Sequence, residues 1–583
     1  MSANPSLAPE YDLLVVGSGG GSMAAAAVAR RMGKRVAILE KREKIGGSTS
    51  FSGGVWWIPD NHLLKAAGID DSFGKARRYF DSTVTYQGPA VTAARRDAYL
   101  AAAPRMLRYL VGLGLKVRRP ADDWPDYYDT NPGGLPEGRS VMPEPFDLHE
   151  LGEWEQHMAL YEPGSMLPLG ADEFPTLFLM KRTMAGKLKA AKLGMRMARD
   201  KLLRRRTVAN GGAIQGRMLQ IALHEGVEVH RETPFRRFLV EEGRVVGVVV
   251  ERDGREQEVR ARSGVIVNAG GFSRNAAMRQ AVSTRGPVGA DWTNANPGDT
   301  GETVQAMIDL GAATDCLDTA WWIVTSRNTD GSWPEGATWK DGTLYPFMHH
   351  LDLSLPFSMM VDQDGRRIAD ESGAYMEIGE RIYDRQQQTG RAIPAWMIFD
   401  ARHRERYPWG AMPPGKTPQS WLDSGYMKKA DSLEALAAQC GIDAAGLQQE
   451  VSRYNGFCRT GVDEDYGRGS RAFDRAHGDP TVTPNPNMGA IEQGPFYACA
   501  IYPGDVGTAG GVVTDEFARV RREDGSEIPG LYAVGNSTAS LFGRCYPGAG
   551  ASIGASFTFG YLAAHHALGS DELGKILEPP EDA

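Results

Sequence analysis

The first forty residues leave little choice of fold. Tyr11-Asp12-Leu13-Leu14-Val15-Val16 is an almost unbroken apolar run that breaks directly into Gly17-Ser18-Gly19-Gly20-Gly21-Ser22. Such a run reads as a strand buried in a parallel sheet. Met23 to Met32 reads as a helix closed by Gly33, and Arg35-Val36-Ala37-Ile38-Leu39 as a second strand ending on Glu40. Strand, glycine turn, helix and strand make a βαβ unit, which commits the chain to an α/β architecture with a dinucleotide site at the strand ends. Gly17 serves the tight turn, and Gly19 lets the backbone meet a pyrophosphate on the helix N-terminus. Ser22 stands at the third fingerprint position and is small enough for close helix packing. Glu40, ~20 residues on, can accept from a ribose hydroxyl.

Glycine-rich loops recur further along. Gly46-Gly47-Ser48-Thr49 and Ser52-Gly53-Gly54 follow the acid closely, and Gly264-Val265-Ile266-Val267 runs into Asn268-Ala269-Gly270-Gly271-Phe272. Near the C-terminus, Leu531-Tyr532-Ala533-Val534 leads through Gly535-Asn536 to Gly543-Arg544-Cys545-Tyr546-Pro547-Gly548-Ala549-Gly550-Ala551-Ser552. Ile553 to His566 then reads as a helix. Each loop alone is a turn; together they bring backbone close to one flat or charged group. The Tyr546 phenol and an N–H at a helix start can converge as an oxyanion hole.

The runs Gly535 to Ser540 and Gly543-Arg544-x-Tyr546-Pro547-Gly548-x-Gly550-Ala551 resemble the flavin-binding C-terminus of the 3-ketosteroid Δ1-dehydrogenases, members of the fumarate-reductase-like flavoproteins. The resemblance covers most of the chain and fails over 174–210. It implies a Rossmann-like FAD-binding domain at 1–335 and 500–583, with an inserted α+β catalytic or capping domain at 336–499. It implies FAD contacts at Gly17, Gly19, Gly20, Ser22, Glu40 and Lys41 in the first unit. The second loop adds Gly46, Gly47, Ser48, Thr49, Ser52, Gly53 and Gly54. Ala269, Gly270 and Gly271 make the third contact, and Gly535, Asn536, Ser552 and Ile553 the last. Family members that attach flavin covalently carry a His in the second loop. Ser48-Thr49 stand there, so non-covalent FAD is expected.

The same resemblance implies the catalytic set. Tyr546 and Gly550 match the positions that hold the steroid C3 carbonyl. Pro125-Asp126-Tyr127, Gly133-Gly134 and Gly138-Arg139 match the family's Pro-Asp-Tyr, Gly-Gly and Gly-Arg, making Tyr127 the auxiliary tyrosine, with Tyr128 the alternative. Gly365 to Glu371 resembles the Arg-x-x-x-Glu turn, and Tyr375 falls where the base stands. The implied activity is 1,2-dehydrogenation of a 3-ketosteroid. Tyr375 takes the C2 proton, its pKa lowered by a hydroxyl donated from Tyr127, and flavin takes the C1 hydride. A quinone or other external acceptor would reoxidise the flavin. Three alternatives stay open: a fumarate-reductase type acting on a small unsaturated acid with Arg544 as general acid, a dehydrogenase acting at the steroid 4,5 bond, and a membrane-recruited electron carrier without a steroid site.

The segment 174–210 carries eleven basic residues and one acid, Asp200, in a chain of net charge −8. Met180, Met184, Leu188, Ala191, Met195, Ala198 and Leu202 recur at spacings of three and four, the pattern of an amphipathic helix with a basic face. Two readings follow: peripheral contact with an anionic membrane through 176–208, or a helix docked on the protein by its apolar stripe. Acidic net charge argues against a nucleic-acid partner. Five scattered cysteines, without a C-x-x-C pair, predict neither a metal site nor a disulfide framework. Met1 to Glu10 lacks the pattern of a signal peptide, and no apolar run nears the ~20 residues of a membrane span, so the expected location is cytoplasmic, at most peripheral on the inner face of the cell membrane. Phe238 to Val250 reads as a hairpin, Trp421 to Ala476 as helical and loop-rich, and Pro495 to Ile501 as a strand returning to the FAD domain.

Overall fold

The computed structural model describes residues 6–121, 124–161, 167–338, 342–580; the first half of the Met1–Glu10 leader reading lies outside them. The strand, helix and strand read from the N-terminus are Glu10–Val16, Gly20–Arg31 and Val36–Leu39. They sit in an eight-stranded sheet whose main path runs Arg519–Arg521, Glu527–Ala533, Arg255–Val267, Glu10–Val16, Val36–Leu39, Glu228–His230. The hairpin Phe235–Glu241 and Arg244–Arg252 extends from the long Arg255–Val267 strand.

Register places the site. Val16 pairs with Leu39 on one side and Val267 on the other, in parallel, and Val267 pairs with Ala533. Four strands therefore end level, and the loops at Gly17, Glu40, Asn268 and Gly535 emerge along one edge. Ligands of open parallel sheets bind at that carboxyl edge. The Ala551–Ala567 helix crosses Gly20–Arg31 at minimal distance, since a Cβ on Gly560 would lie 2.3 Å from the Gly21 carbonyl.

The second sheet is antiparallel, in the order Ser358–Val361, Ala395–Phe399, Phe496–Tyr502, Val324–Ser326, Phe347–His349, with Met427–Ala430 also on Phe496–Tyr502. It draws strands from upstream of residue 336. The aromatic strand expected to return the chain to the first sheet instead sits at the centre of the second. Its residues are apolar on both faces: Phe496, Ala498, Ala500 and Tyr502 enter one core, Cys499 and Ile501 the other. It pairs with three strands of that sheet, Val324–Ser326, Ala395–Phe399 and Met427–Ala430. The Trp421–Ala476 stretch is helical as expected, apart from the strand Met427–Ala430.

Segment 174–210 folds as a short helix, Phe174–Phe178, a turn, and the helix Met184–Leu202. The long helix turns its apolar stripe outward: Met184, Leu188, Met195 and Leu202 are 68%, 55%, 64% and 82% exposed. Polar contacts tie it down, with Lys189 and Arg196 reaching Glu173 at 3.2 and 2.8 Å. The reading that docks this helix by its apolar stripe is thereby overturned. Among the described residues, no helix is long and apolar enough to cross a membrane.

Candidate active site

A cavity of about 460 Å³ runs along the aligned strand ends. Gly17, Gly19, Glu40, Lys41, Gly47, Ser48, Thr49, Ser52 and Gly53 line it, as do Ala269, Gly270, Gly535, Asn536, Ser552 and Ile553. Gly20, Ser22, Gly46, Gly54 and Gly271 stand behind that wall and set its shape. A Cβ on Gly20 would lie 1.9 Å from Phe557, on Gly54 2.3 Å from Asn210 backbone, and on Gly271 1.9 Å from Thr508 Oγ1. Ser22 Oγ is hydrogen-bonded to Asn268 at 3.1 Å, and Gly46, at φ +126°, donates its N–H to Ser18 Oγ at 2.9 Å.

Glu40 braces the first turn from the inside. Its Oε2 accepts from Ser18 N–H at 3.1 Å and Ser18 Oγ at 2.6 Å, and its Oε1 from Arg42 N–H at 2.9 Å. Burial pushes its carboxyl above the ordinary range. The Gly20–Arg31 helix carries no acid in its first turn, so no acid of that turn neutralises its positive end. A close-packed glycine turn at a positive helix end, a bordering acid and a long cavity fit a dinucleotide cofactor.

Sequence reasoning missed part of this wall. Asn294, Asn296 and Asp299 line the cavity, from a Pro-Gly turn leading into the helix Glu302–Asp309. Ser48 Oγ donates to Asp299 at 3.1 Å, and burial pushes the Asp299 carboxyl up to about 7. The signal was present: two Asn and one Asp around Pro297-Gly298 make a polar turn of the kind that meets ligands. Trp321 and His350 also line the cavity, and neither belongs to a recognisable local motif.

At the far end three tyrosines meet. The Tyr127 ring lies 5.7 Å from Tyr375 and 5.8 Å from Tyr546, and Tyr375 lies 5.2 Å from Tyr546. All three line the cavity, as does Gly550, whereas Tyr128 does not. Tyr128 instead lies beneath the Arg471 guanidinium at 5.0 Å. His350 meets the Tyr375 ring edge-on at 4.8 Å, and Trp321 meets Tyr546 at 5.1 Å.

Each tyrosine is held by its own device. Tyr127 N–H donates to Pro547 O at 3.1 Å. Its loop is pinned by the buried Asp126, which accepts from Trp57 Nε1 at 2.8 Å and pairs with Arg139. Arg139 also reaches Asp71 at 2.8 Å and the Gly133 carbonyl at 2.8 Å. The Pro-Asp-Tyr, Gly-Gly and Gly-Arg pieces are thus one buried knot. Tyr375 opens the helix Tyr375–Thr389, behind a turn where Arg367 and Glu371 pair at 2.9 Å. Tyr546 Oη and Ser552 Oγ are 3.0 Å apart, and Gly550, at φ +80°, caps the Ala551–Ala567 helix.

The electrostatics differ from the expectation for Tyr375. Burial pushes its phenol well above the ordinary value, and the neighbouring Tyr127 and Tyr546 phenols push it further. Tyr127 therefore does not lower it. Burial likewise holds the Tyr127 phenol well above its ordinary value. Arg544 does not line the cavity; it pairs with Asp318 at 2.6 Å and contacts Thr319.

A level parallel edge with four glycine loops, joined to a tyrosine-lined chamber under a second sheet, defines an FAD-dependent oxidoreductase. The chain matches the family model described as FAD binding domain over residues 12–553. It is 40% identical to a 3-oxosteroid 1-dehydrogenase of Mycobacterium tuberculosis, over 97% of this chain and 99% of that one. A 3-oxosteroid 1-dehydrogenase of Mycolicibacterium smegmatis is 39% identical, over 95% and 96%. A crystal structure of 3-ketosteroid Δ1-dehydrogenase from Sterolibacterium denitrificans, in complex with 1,4-androstadiene-3,17-dione, superposes with a TM-score of 0.89 at 35% identity, over 96% of this chain and 100% of that one. The chain belongs to the 3-ketosteroid Δ1-dehydrogenase family of FAD flavoproteins.

Proposed function

We propose that this protein catalyses FAD-dependent 1,2-dehydrogenation of 3-ketosteroids. The observation that carries the reading is the meeting of Tyr127, Tyr375 and Tyr546 beside Gly550 at the end of the cofactor cavity. Tyr546 Oη and the Gly550 N–H polarise the C3 carbonyl, which acidifies the C2 hydrogens. Tyr375 receives the C2 proton on its phenolic oxygen. Tyr127 orients Tyr375 through edge-on ring contact. FAD, held non-covalently by the glycine loops, supplies the acceptor for the C1 hydride. The burial of Tyr127 and Tyr546 keeps water from the reacting carbons.

Electrons then pass to a quinone or another external acceptor. The exposed apolar stripe of Met184–Leu202, set among basic side chains, supports peripheral contact with an anionic membrane. Phe174 and Phe178, on the helix just before it, line the cavity, so a lipid-dissolved steroid would meet the cavity wall near that contact. This favours a location on the inner face of the cell membrane and a role in steroid breakdown.

The test is to mix purified yellow protein with androst-4-ene-3,17-dione without an electron acceptor. Bleaching of the flavin band with formation of the 1,4-diene is expected. An unbleached flavin would overturn the assignment, and it is also what a dehydrogenase of the 4,5 bond would give, since this substrate already carries that double bond.

A further inference from the structure

Arg95 is 2% exposed, and among the described residues its side chain has no carboxylate partner. Its Nη1 donates to the carbonyls of Ala90 and Ala539, at 2.5 and 3.2 Å, and its Nε has no hydrogen-bond partner. The guanidinium carbon lies 5.2 Å from the centre of the Phe559 ring. The acids that act on it most from a distance are committed elsewhere. Asp315 accepts from Tyr86 Oη and Ala90 N–H, and Asp515 from Arg519. Burial lowers its pKa to about 10, which leaves it a cation at neutral pH.

An isolated buried charge costs several kcal/mol, so this one needs a compensating reason. Arg95 lines a small chamber of about 20 Å³ whose wall includes Trp321, Gly535, Asn536 and Ser552. These four also line the cofactor cavity. The chamber and the cofactor cavity are thus separated by one layer of residues. The positive end of the Ala551–Ala567 helix, which has no acid in its first turn, points into the same region.

We infer that Arg95 is a buried counter-charge for the reduced cofactor, raising the reduction potential of the bound FAD. Accepting a hydride adds one negative charge to a flavin, and a cation fixed behind a thin, poorly polarisable wall stabilises that form over the oxidised one. Arg95 touches neither substrate nor cofactor; it acts by field alone. The inference rests on FAD filling the cavity, as proposed above, but not on the identity of the steroid.

The experiment is the midpoint potential of the FAD-loaded protein, titrated with dithionite against a reference dye, for wild type, Arg95→Lys and Arg95→Met. Arg95→Met is expected to favour the oxidised form by tenfold or more, a fall of about 30 mV or more for a two-electron couple. Arg95→Lys, which keeps the charge, is expected to stay within threefold of wild type. An unchanged potential in Arg95→Met with FAD retained would show a packing role only and overturn the inference. Should Arg95→Met not fold, the pH dependence of the wild-type potential decides. One proton per two electrons, about 30 mV per pH unit between pH 6 and 8, is expected for a flavin that stays anionic when reduced. A two-proton slope would overturn the inference. Dithionite reduction needs no steroid, so failure of the steroid bleaching test would leave this measurement intact.

Discussion

The rings of Tyr375 and Tyr546 lie 5.2 Å apart at an angle of 44°, although one opens a helix beside the second sheet and the other precedes the last long helix of the first. A proton acceptor and a carbonyl-polarising donor are thereby fixed against each other by two separate folding units.

Removing either hydroxyl should therefore stop the reaction without emptying the site. Tyr546→Phe is expected to lower turnover by roughly 10²–10³, the usual cost of one oxyanion donor. Tyr375→Phe is expected to lose at least as much, and Tyr127→Phe less. Single-turnover flavin bleaching checks this, with the flavin absorbance of the unmixed protein confirming retained FAD. Near-normal bleaching in Tyr375→Phe would remove it as the base.

The pH profile follows from the raised phenol of Tyr375. Only its ionised form accepts a proton, and a raised pKa makes that form scarce at neutral pH. The single-turnover rate should therefore climb about tenfold per pH unit from pH 6 towards pH 9. A plateau reached below pH 7 would contradict the electrostatics described for this phenol.

Arg139 is buried between Asp126 and Asp71, with its Nη2 on the Gly133 carbonyl. Arg139→Met leaves two buried carboxylates unpaired, and breaking such a pair costs about 3–5 kcal/mol. Denaturant unfolding should show that loss. A change below 1 kcal/mol would mean that the knot does not hold the Tyr127 loop.

FAD should leave the protein on heating or in acid, because Ser48-Thr49 occupy the loop where a covalent His would stand. Glu40→Ala should weaken retention further, since it removes both the bordering acceptor and the brace on Ser18. Flavin that co-precipitates with the denatured chain would contradict the first statement.

Met184, Leu188 and Met195 are exposed, so changing all three to Gln leaves the packed core untouched. The triple variant should lose co-sedimentation with anionic vesicles, and wild-type binding should weaken at high salt. Undiminished binding by a variant that still holds FAD would remove the helix as a membrane contact.

Local patterns were readable where one stretch of chain performs a whole task. Gly17 to Glu40 announces its strand, turn, helix and acid because all lie within one βαβ unit. The tyrosines were reachable only through family resemblance, since nothing local distinguishes Tyr127 from Tyr128. Burial of one ring in the chamber and exposure of the other to Arg471 is a tertiary outcome. Phe496–Tyr502 misled for a related reason: an apolar strand does not state which sheet it enters. His350 and Arg95 carry no pattern at all, and only the folded chain brings them to the site.

The Glu527–Ala533 strand and the Ala551–Ala567 helix complete a sheet that the first forty residues begin, and they carry Tyr546 and Gly550 on the way. During synthesis the N-terminal unit leaves the ribosome long before either exists. The nascent chain then exposes the Arg255–Val267 edge and lacks one wall of its nucleotide cradle. Cofactor capture is thus an act of the finished polypeptide. A product that stops before residue 527 would be colourless and open to edge-to-edge aggregation, so flavin colour in a cell extract reports full-length translation as well as folding.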